Sequence, residues 1–224
     1  MIRRQIAAVR EQMERQPRGL VDHVVRVARE ARALAQVWDV DRDRVELAVW
    51  GHDLFRAHAP AEQLRLAEEA GVPIHELDRA YPVLLHGPVA AVVLRERFRV
   101  ADEEALEAVR DHTSGSAEMS ILAKVLLVAD KVESQKRHGV RELDAIRELA
   151  RRDLDLALLC WSDWKWYTER QSGWAMDVRH WQARSAWVVA HHAEVPGSKP
   201  EDRTMRHDDR QGTNPQWAEG HVRG

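Results

Sequence analysis

Six histidine and aspartate side chains lie within or at the ends of apolar segments, where an unpartnered polar group is costly to bury. Imidazole and carboxylate together are typical ligands of divalent transition metals such as iron, manganese and zinc. Six such ligands on five helical segments would suffice for two metal ions if one carboxylate, that of Asp53, bridged them. The six residues are His23, His52, Asp53, His86, His112 and Asp130.

Each of these residues also has an ordinary explanation when it is taken singly. A histidine beside an apolar face is more often a hydrogen-bonded core residue than a ligand. Asp130 could be a buried carboxylate with backbone donors, and His86 before Gly-Pro could belong to a turn. The His-Asp pair is uninformative alone, since His207–Asp208 repeats it in a polar segment. The prediction of a metal site therefore depends on the whole set.

The elements that would position these residues are helices. Apolar residues recur at helical spacing along most of the chain and no segment alternates with period two, which predicts an all-α, compact multi-helix bundle. The helix over 43–56 carries His52 and Asp53 in its middle, and another begins just after Gly87–Pro88. One further helix is predicted to run from Pro60 to Gly71, and Asp102 is predicted to cap another. The remaining predicted helices begin near Val21, after Ser116 or Glu118, and at 141, 153 and 178.

Composition indicates a cytoplasmic protein. The 224 residues carry a net charge of −3, without the basic footprint of a nucleic-acid-binding protein. The single Cys160 forms no intrachain disulfide, and residues 1–16 lack the apolar core of a signal peptide. The most apolar segment, "ILAKVLLVAD", is too short to cross a bilayer, so no membrane association is expected.

Three regions follow from the pattern: an N-terminal helix extension over 1–17, a core over 18–193, and a disordered tail over 194–224. Glycine, proline and charged residues dominate the tail. Six of the nine tryptophans lie between 161 and 187. Stacking on bases is one use for them, but packing of the last helices or a homodimer contact is the favoured interpretation.

Four segments carry a family resemblance: "GHDLFR", "LLHGPVAA", "VRDHTSG" and "MSILAKVLLVADKVE". In this order and at these separations they resemble the HD superfamily of metal-dependent phosphohydrolases, and within it the symmetrical bis(5′-nucleosyl)-tetraphosphatases. The resemblance covers about residues 18–158 and extends more loosely to 189.

The resemblance implies a division of the ligands and a reaction. His23, His52, Asp53 and Asp130 would hold one metal, while His86 and His112, with Asp53 bridging, would hold the second. Two iron ions are expected, with manganese, cobalt or zinc as alternatives. Such a pair lowers the pKa of a shared water towards roughly 7 and clamps phosphate oxygens. The nucleotide substrate implied is diadenosine tetraphosphate, cleaved to two ADP.

Further residues are candidates for substrate contacts. Arg56, where relatives usually have lysine, is expected to contact phosphate in catalysis beside Asp53, although it could equally be a solvated helix end. Thr113 and Gly115 could offer a hydroxyl and backbone donors, or only end a helix. Lys131 and Arg184 complete the predicted substrate contacts.

The chain departs from these relatives in three places, the first of which is Asp111, just before His112, where they commonly have tyrosine. It reads "KVESQK" after Asp130 where they commonly read Tyr-Ile-Glu-Pro, and Asp177–Val178 stand where they often have His-Pro. Two other functions stay open. The altered residues after Asp130 would suit a nucleotidase or phosphodiesterase acting on another nucleotide, and the tryptophan-rich end with the polar tail would suit a non-catalytic nucleotide-sensing module.

Overall fold

The computed structural model describes the backbone of residues 1–194 and the side chains of residues 1–191. All regular elements in that range are helical, which confirms the all-α prediction. They are α1 (Ile2–Glu14), α2 (Arg18–Val37), α3 (Arg42–Gly51), α4 (Pro60–Glu69), α5 (Glu76–Ala80), a 3₁₀ turn (Pro82–Leu85), α6 (His86–Glu96), α7 (Glu103–Asp111), α8 (Ile121–Val132), α9 (Ser134–Arg137), α10 (Arg141–Leu149), α11 (Leu154–Ser172) and α12 (Val178–Glu194). The predicted tail lies, from residue 195 onwards, outside the described residues.

Helix α8 is the centre of the bundle. Nine of its twelve residues are buried, and it packs against α2, α3, α7, α10 and α11. A helix that is apolar on all sides must be surrounded by other helices. Asp130, in its last turn, is fully buried, so its carboxylate must be partnered inside the protein. Helix α1 joins the same core from outside, packing on α3 through the fully buried Val9 and Met13.

The prediction that His52 and Asp53 lie in mid-helix is wrong. Helix α3 ends at Gly51, and residues 52–57 form successive turns. The backbone N–H of Leu54 bonds the carbonyl three residues back, at Gly51, and that of Arg56 bonds Asp53 in the same way. These tighter bonds, common at helix ends, coil the chain more closely than an α-helix. His52 and Asp53 are both fully buried.

Helix α6 starts earlier than predicted, at His86 rather than after Gly87–Pro88. Proline fits within the first turn because its missing N–H would have no helical partner there. Gly87 is needed for a close approach: a Cβ on it would lie 2.9 Å from the carbonyl oxygens of Val109 and Arg110. This contact brings the start of α6 against the end of α7, where His112 stands.

Other predicted helix boundaries have mixed outcomes. Asp102 caps α7 as predicted, its carboxylate accepting from the backbone N–H of Ala105 at 3.1 Å. Ser116 and Glu118 precede α8 as predicted, but the residue that caps this helix is Ser120. The Ser116 hydroxyl instead bonds within the preceding loop, donating to the Glu118 carbonyl at 2.8 Å.

The C-terminal helices close the bundle. Helix α11 packs on α8 and α10 and is covered in turn by α12. Trp161 and Trp187 are buried in the core, in line with the packing interpretation, whereas Trp174 stands exposed after α11. Within the described residues, no helix combines the length and apolar character needed to traverse a membrane.

Candidate metal centre

Five segments bring the six predicted ligands into one buried cluster. Helix α2 supplies His23, the turn after α3 supplies His52 and Asp53, and α8 supplies Asp130. His86 opens α6, and His112 is the residue that ends α7. None of the six is more than 8% exposed. Two overlapping triplets have ligand atoms within 4.8 Å of one another and could each hold a metal ion: His23, His52 and Asp130; and His52, Asp53 and His112.

Three of the imidazoles are oriented by the same kind of hydrogen bond to the backbone. The Nδ1 atoms of His52, His86 and His112 each contact the backbone carbonyl three residues earlier, at 2.7 Å for His52 and His112. A carbonyl only accepts, so Nδ1 carries the proton and donates it. The Nε2 atom of each ring then presents a lone pair to the cluster, as a metal-ligating histidine does.

Asp53 divides the imidazoles into two pairs. Its Oδ2 lies 3.5 Å from Nε2 of both His23 and His52. Its Oδ1 lies 3.0 Å from Nε2 of His86 and 3.4 Å from Nε2 of His112. Each carboxylate oxygen therefore faces its own pair of nitrogens, as expected of a carboxylate that bridges two cations.

The inward atoms of the cluster lack complementary partners. Nε2 of His23, Nε2 of His52 and Oδ1 of Asp53 are buried without any hydrogen-bond partner among the described residues. The Nε2 atoms of His86 and His112 lie only 2.9 Å apart, although both carry lone pairs when Nδ1 is protonated. Buried acceptors turned towards one another are unfavourable unless a cation lies among them. This donor set fits divalent transition metals.

The protonation states of the cluster residues also suit metal binding. Burial lowers the pKa of His52, and it lowers that of His112 to about 3, so the neutral ligand form is favoured. Burial alone would raise the pKa of Asp53, but the neighbouring imidazoles, His52 foremost, outweigh it and hold the pKa well below its ordinary value. The cluster thus combines neutral His52 and His112 with an ionised Asp53.

A second layer of contacts supports His23. Its Nδ1 lies 3.4 Å from Oε1 of Glu133, a buried glutamate that also accepts from Arg26 Nε at 2.6 Å. Glu133 caps the short helix α9 as well, accepting from the Gln135 backbone N–H at 2.8 Å. One carboxylate therefore fixes both the ring of His23 and the start of the segment after α8.

Cationic side chains surround the carboxylates. Lys131 Nζ lies 2.5 Å from Oδ2 of Asp130, and Lys136 Nζ lies 2.7 Å from Oδ1. Burial would raise the pKa of Asp130, but these two charges outweigh it and keep the pKa well below the usual range. Arg56 Nη1 lies 3.4 Å from Asp53 Oδ2. Its side chain is 40% exposed, so the guanidinium is accessible to an anion from solvent.

A cleft leads from solvent to this side of the cluster. It encloses about 340 Å³ and is lined by His23, Arg56 and Lys136, together with Gly19, Leu20 and Ala57. An imidazole of the cluster and two cations thus face the same opening, which is the arrangement that a phosphate chain would require.

The other predicted substrate contacts lie in different surroundings. Thr113 borders the cluster, with Oγ1 3.3 Å from His112 Nε2. Gly115 already donates its backbone N–H to the Asp111 carbonyl at 2.7 Å. A Cβ on Gly115 would collide with the ring of Trp187 at 2.5 Å, so close packing explains this glycine.

Arg184 bonds Asp163, with Nε 2.9 Å from Oδ1, and its guanidinium lies over the ring of Trp181 at 5.5 Å. No contact within the described part of the chain joins it to the cluster.

The sequence pattern of the HD domain family matches residues 20–135, just over half of the chain, and this range contains all six cluster residues. The chain belongs to the HD domain family. As a member, it is a metal-dependent phosphohydrolase.

Two similar proteins are symmetrical bis(5′-nucleosyl)-tetraphosphatases. The one from Bacillus subtilis (strain 168) is 35% identical over 137 residues, which are 61% of this HD-domain chain and 72% of the relative. The one from Staphylococcus aureus is 30% identical over 137 residues, covering 61% of this chain and 69% of the relative.

A solved structure shares the fold of this HD-domain protein. It is a predicted HD superfamily hydrolase involved in NAD metabolism from Clostridium acetobutylicum, with a TM-score of 0.76 at 23% identity. The alignment covers 82% of this chain and 97% of the other.

Sequence reasoning missed two side chains of this HD-domain site and one buried histidine outside the cluster. Glu133 and Lys136 lie in "KVESQK", a segment interpreted above as a departure from relatives rather than as a source of contacts. Their acidic and basic types, three and six residues after a buried aspartate, were an available signal. His180, with no partner evident from sequence, is buried and bonded to Ser162 Oγ at 2.8 Å. No local pattern predicts that contact.

Proposed function

We propose that this protein is a hydrolase of dinucleoside polyphosphates that cleaves diadenosine tetraphosphate symmetrically into two ADP. The observation that carries the proposal is the division of the cluster by Asp53, whose two oxygens face separate imidazole pairs. The activity named for two relatives at 30% and 35% identity supports the choice of substrate.

We assign the ligands as follows. His23, His52, Asp53 and Asp130 would hold one cation, and Asp53, His86 and His112 a second, with iron as the expected metal. When bound, such a pair of cations lowers the pKa of water towards roughly 7 and neutralises charge on phosphate oxygens. The unpartnered Nε2 atoms of His23 and His52 support this assignment.

The cations of the chain would orient the polyphosphate. Arg56 is 40% exposed, and its charge is only loosely shared with Asp53 at 3.4 Å, so it remains available to a phosphate oxygen. Lys136, 32% exposed and lining the same cleft, would contact the next phosphate. Lys131 is held at Asp130 and would act on the chain only through its charge.

The reaction requires one water and no other reactant. The water oxygen forms a bond to one of the two central phosphorus atoms. The bond from that phosphorus to the central bridging oxygen breaks, and the bridging oxygen leaves with the second ADP. The protons of the water pass to the bulk solvent. Positioning and charge neutralisation account for catalysis of this kind.

The test is product analysis with isotopic label. Protein loaded with iron, manganese or cobalt is incubated with diadenosine tetraphosphate in ¹⁸O-water, and products are separated by ion exchange. We expect ADP alone, with label in one ADP of each pair. AMP with ATP, or no turnover with any metal, would reject the assignment. Preferred turnover of a mononucleotide in a parallel panel would select another nucleotide as substrate.

A matched pair of variants controls the experiment. Asp53→Asn removes the bridging charge, and we expect turnover to be abolished. Asp111→Asn makes the same change beside the cluster, at a carboxylate that bonds Arg110 and contacts no imidazole of the cluster. Its turnover should equal that of the unaltered protein.

A further inference from the structure

A second cavity lies beyond the metal cluster. It encloses about 310 Å³ between α5, the 3₁₀ turn, the loop after α7, and the α11–α12 junction. Its walls are mostly apolar, and its lining includes Leu77, Tyr81, Leu84, Thr113, Trp174 and His180. The volume is at the lower end of the range for small-molecule sites, about 300–1,000 Å³, and suits one nucleoside rather than two.

The polar side chains in the wall bond to one another. The hydroxyl of Ser114 donates to Asp177, which also accepts the backbone N–H and Nε of Arg179, both at 3.0 Å. His180 Nδ1 donates to the Ser114 carbonyl at 2.9 Å, and Lys165 pairs with Glu169. Most of these polar groups thus already have partners within the wall, so shape and apolar contact dominate the selection of a ligand by the cavity.

Two aromatic residues remain exposed at the cavity. Tyr81 is 44% exposed and Trp174 is 66% exposed, although both line it. Trp174 is positioned by the end of α11: Gly173 adopts φ 67°, and the Trp174 backbone N–H bonds the Glu169 carbonyl at 3.0 Å. A flat aromatic ligand would cover both side chains.

Thr113 connects this cavity to the metal cluster. Its side chain lines the cavity, and its Oγ1 lies 3.3 Å from His112 Nε2, which is itself 3.4 Å from Asp53 Oδ1. The cluster continues from His112 through His52 to His23, at ring separations of 4.9 and 6.0 Å. His23 lines the cleft that holds Arg56 and Lys136. The cluster therefore joins the basic cleft to the apolar cavity.

We propose that this cavity binds the base and ribose of one nucleotide half of the substrate, by contact with Trp174 and Tyr81. The inference rests on the proposed function, because the ligand is one half of that substrate. A nucleoside there would direct its phosphates past Thr113 to the cluster, with the remaining phosphates at the basic cleft. Since most polar groups of the wall already have partners within the protein and the contacts to the base are apolar, adenine and guanine should be accepted about equally.

The two tyrosines of the chain provide a matched test. Tyr81 lines the cavity, whereas Tyr167 is 58% exposed on α11 and is not part of the lining. We expect Trp174→Ala and Tyr81→Ala each to weaken ADP binding about tenfold, and to raise KM similarly with kcat nearly unchanged. Tyr167→Ala should leave ADP binding unaltered. All three residues are exposed, so the variants should fold.

The readout is the ADP dissociation constant from calorimetry on the metal-loaded protein, beside KM and kcat for diadenosine and diguanosine tetraphosphates. Unchanged ADP affinity in both cavity variants, an equal loss in Tyr167→Ala, or no ADP binding at all would overturn the inference. If ADP binding depends on Trp174 but the tetraphosphate is not cleaved, the proposed function fails and the nucleoside cavity stands. If the tetraphosphate is cleaved but ADP affinity is the same in every variant, the proposed function stands and the nucleoside cavity fails.

Discussion

The metal cluster and the apolar cavity lined by Tyr81 and Trp174 satisfy their polar groups in opposite ways. In the cluster, the outer atoms of the imidazoles are bonded while inward atoms such as His23 Nε2 and Asp53 Oδ1 have no hydrogen-bond partner. In the cavity, Ser114, Asp177 and His180 bond to one another or to the surrounding chain. A buried acceptor without a partner is stabilised when a cation binds to it. A wall whose polar groups already have partners binds a ligand mainly by shape and apolar contact.

The energetic cost of leaving the site without a ligand differs between the cluster and the cavity. Without a cation, the cluster leaves lone pairs facing each other, as at the 2.9 Å separation of His86 and His112 Nε2. The cavity carries no comparable penalty when empty. We therefore expect metal binding to stabilise this protein, and nucleotide binding to depend on contact area rather than on relief of strain.

The largest expected effect comes from removing the shared carboxylate. Asp53→Ala should lose both metals, because each oxygen of Asp53 faces a different pair of imidazoles. Metal content of protein purified without chelator, measured by plasma mass spectrometry, checks this. A variant that keeps either metal at full occupancy would show that Asp53 does not bridge.

A smaller loss should follow from removing one ligand of a single pair. His86 Nε2 lies 3.0 Å from Oδ1 of Asp53, the oxygen that also faces His112, so His86→Ala should release mainly the second metal. His23 faces Oδ2 and Asp130, so His23→Ala should release mainly the first. Metal stoichiometry of the two variants, measured side by side, tests the division. Equal loss of both metals from both variants would contradict it.

Glu133→Gln tests whether support behind a ligand also matters. Glu133 contacts His23 Nδ1, and glutamine keeps an oxygen there but removes the negative charge; mutation of such a partner typically costs about 10–100-fold in metal affinity or activity. Competition with a chelator of known affinity would measure the change.

Glu30→Gln is the matched control for this variant. Glu30 is also a buried glutamate bonded by arginines, Arg137 and Arg147, but it touches no imidazole of the cluster. The Glu30→Gln variant should have a lower free energy of unfolding than the unaltered protein and the same metal affinity. Equal metal affinities in the two glutamate variants would assign Glu133 a purely structural role.

The sequence predicted the cluster better than the cavity, for a physical reason. Residue types that bind metals are few and costly to bury, so their presence in apolar segments is visible without a structure. The prediction failed in local geometry: His52 and Asp53 lie in the turn after α3, because bonds to the third residue back replace those of the helix.

The cavity was not predictable, because it depends on contacts between distant segments. Arg179 bonds the fully buried Asp78, the carboxylate at the start of α5, at 2.7 Å across 101 residues. Neither residue stands in a pattern that indicates the other. The preference for tryptophan packing holds for Trp161 and Trp187 but not for Trp174, whose exposure follows from the left-handed Gly173.

The smallest expected effect concerns pH and belongs to the cavity. Burial lowers the pKa of His180 to about 4, and the charge of Lys165 acts in the same direction, while Asp177 and the bond to the Ser114 carbonyl oppose it. The folded protein therefore favours neutral His180, whose contribution to stability is complete above the unfolded pKa of about 6.5. That contribution falls as the pH drops from about 6.5 towards 4, since the unfolded chain takes up the proton first.

His180→Gln should remove this dependence. Between pH 7.5 and 5.5 we expect the unaltered protein to lose about 1 kcal/mol more of its unfolding free energy than the variant does. Urea denaturation of metal-loaded protein at the two pH values measures the difference. His138→Gln, at an exposed position, should behave like the unaltered protein. If His180→Gln shows the same pH slope as the unaltered protein, burial of His180 does not hold it neutral. The cavity wall would then carry a positive charge below about pH 6.5 that attracts a nucleotide phosphate, and selection by shape alone would no longer describe the cavity in that range.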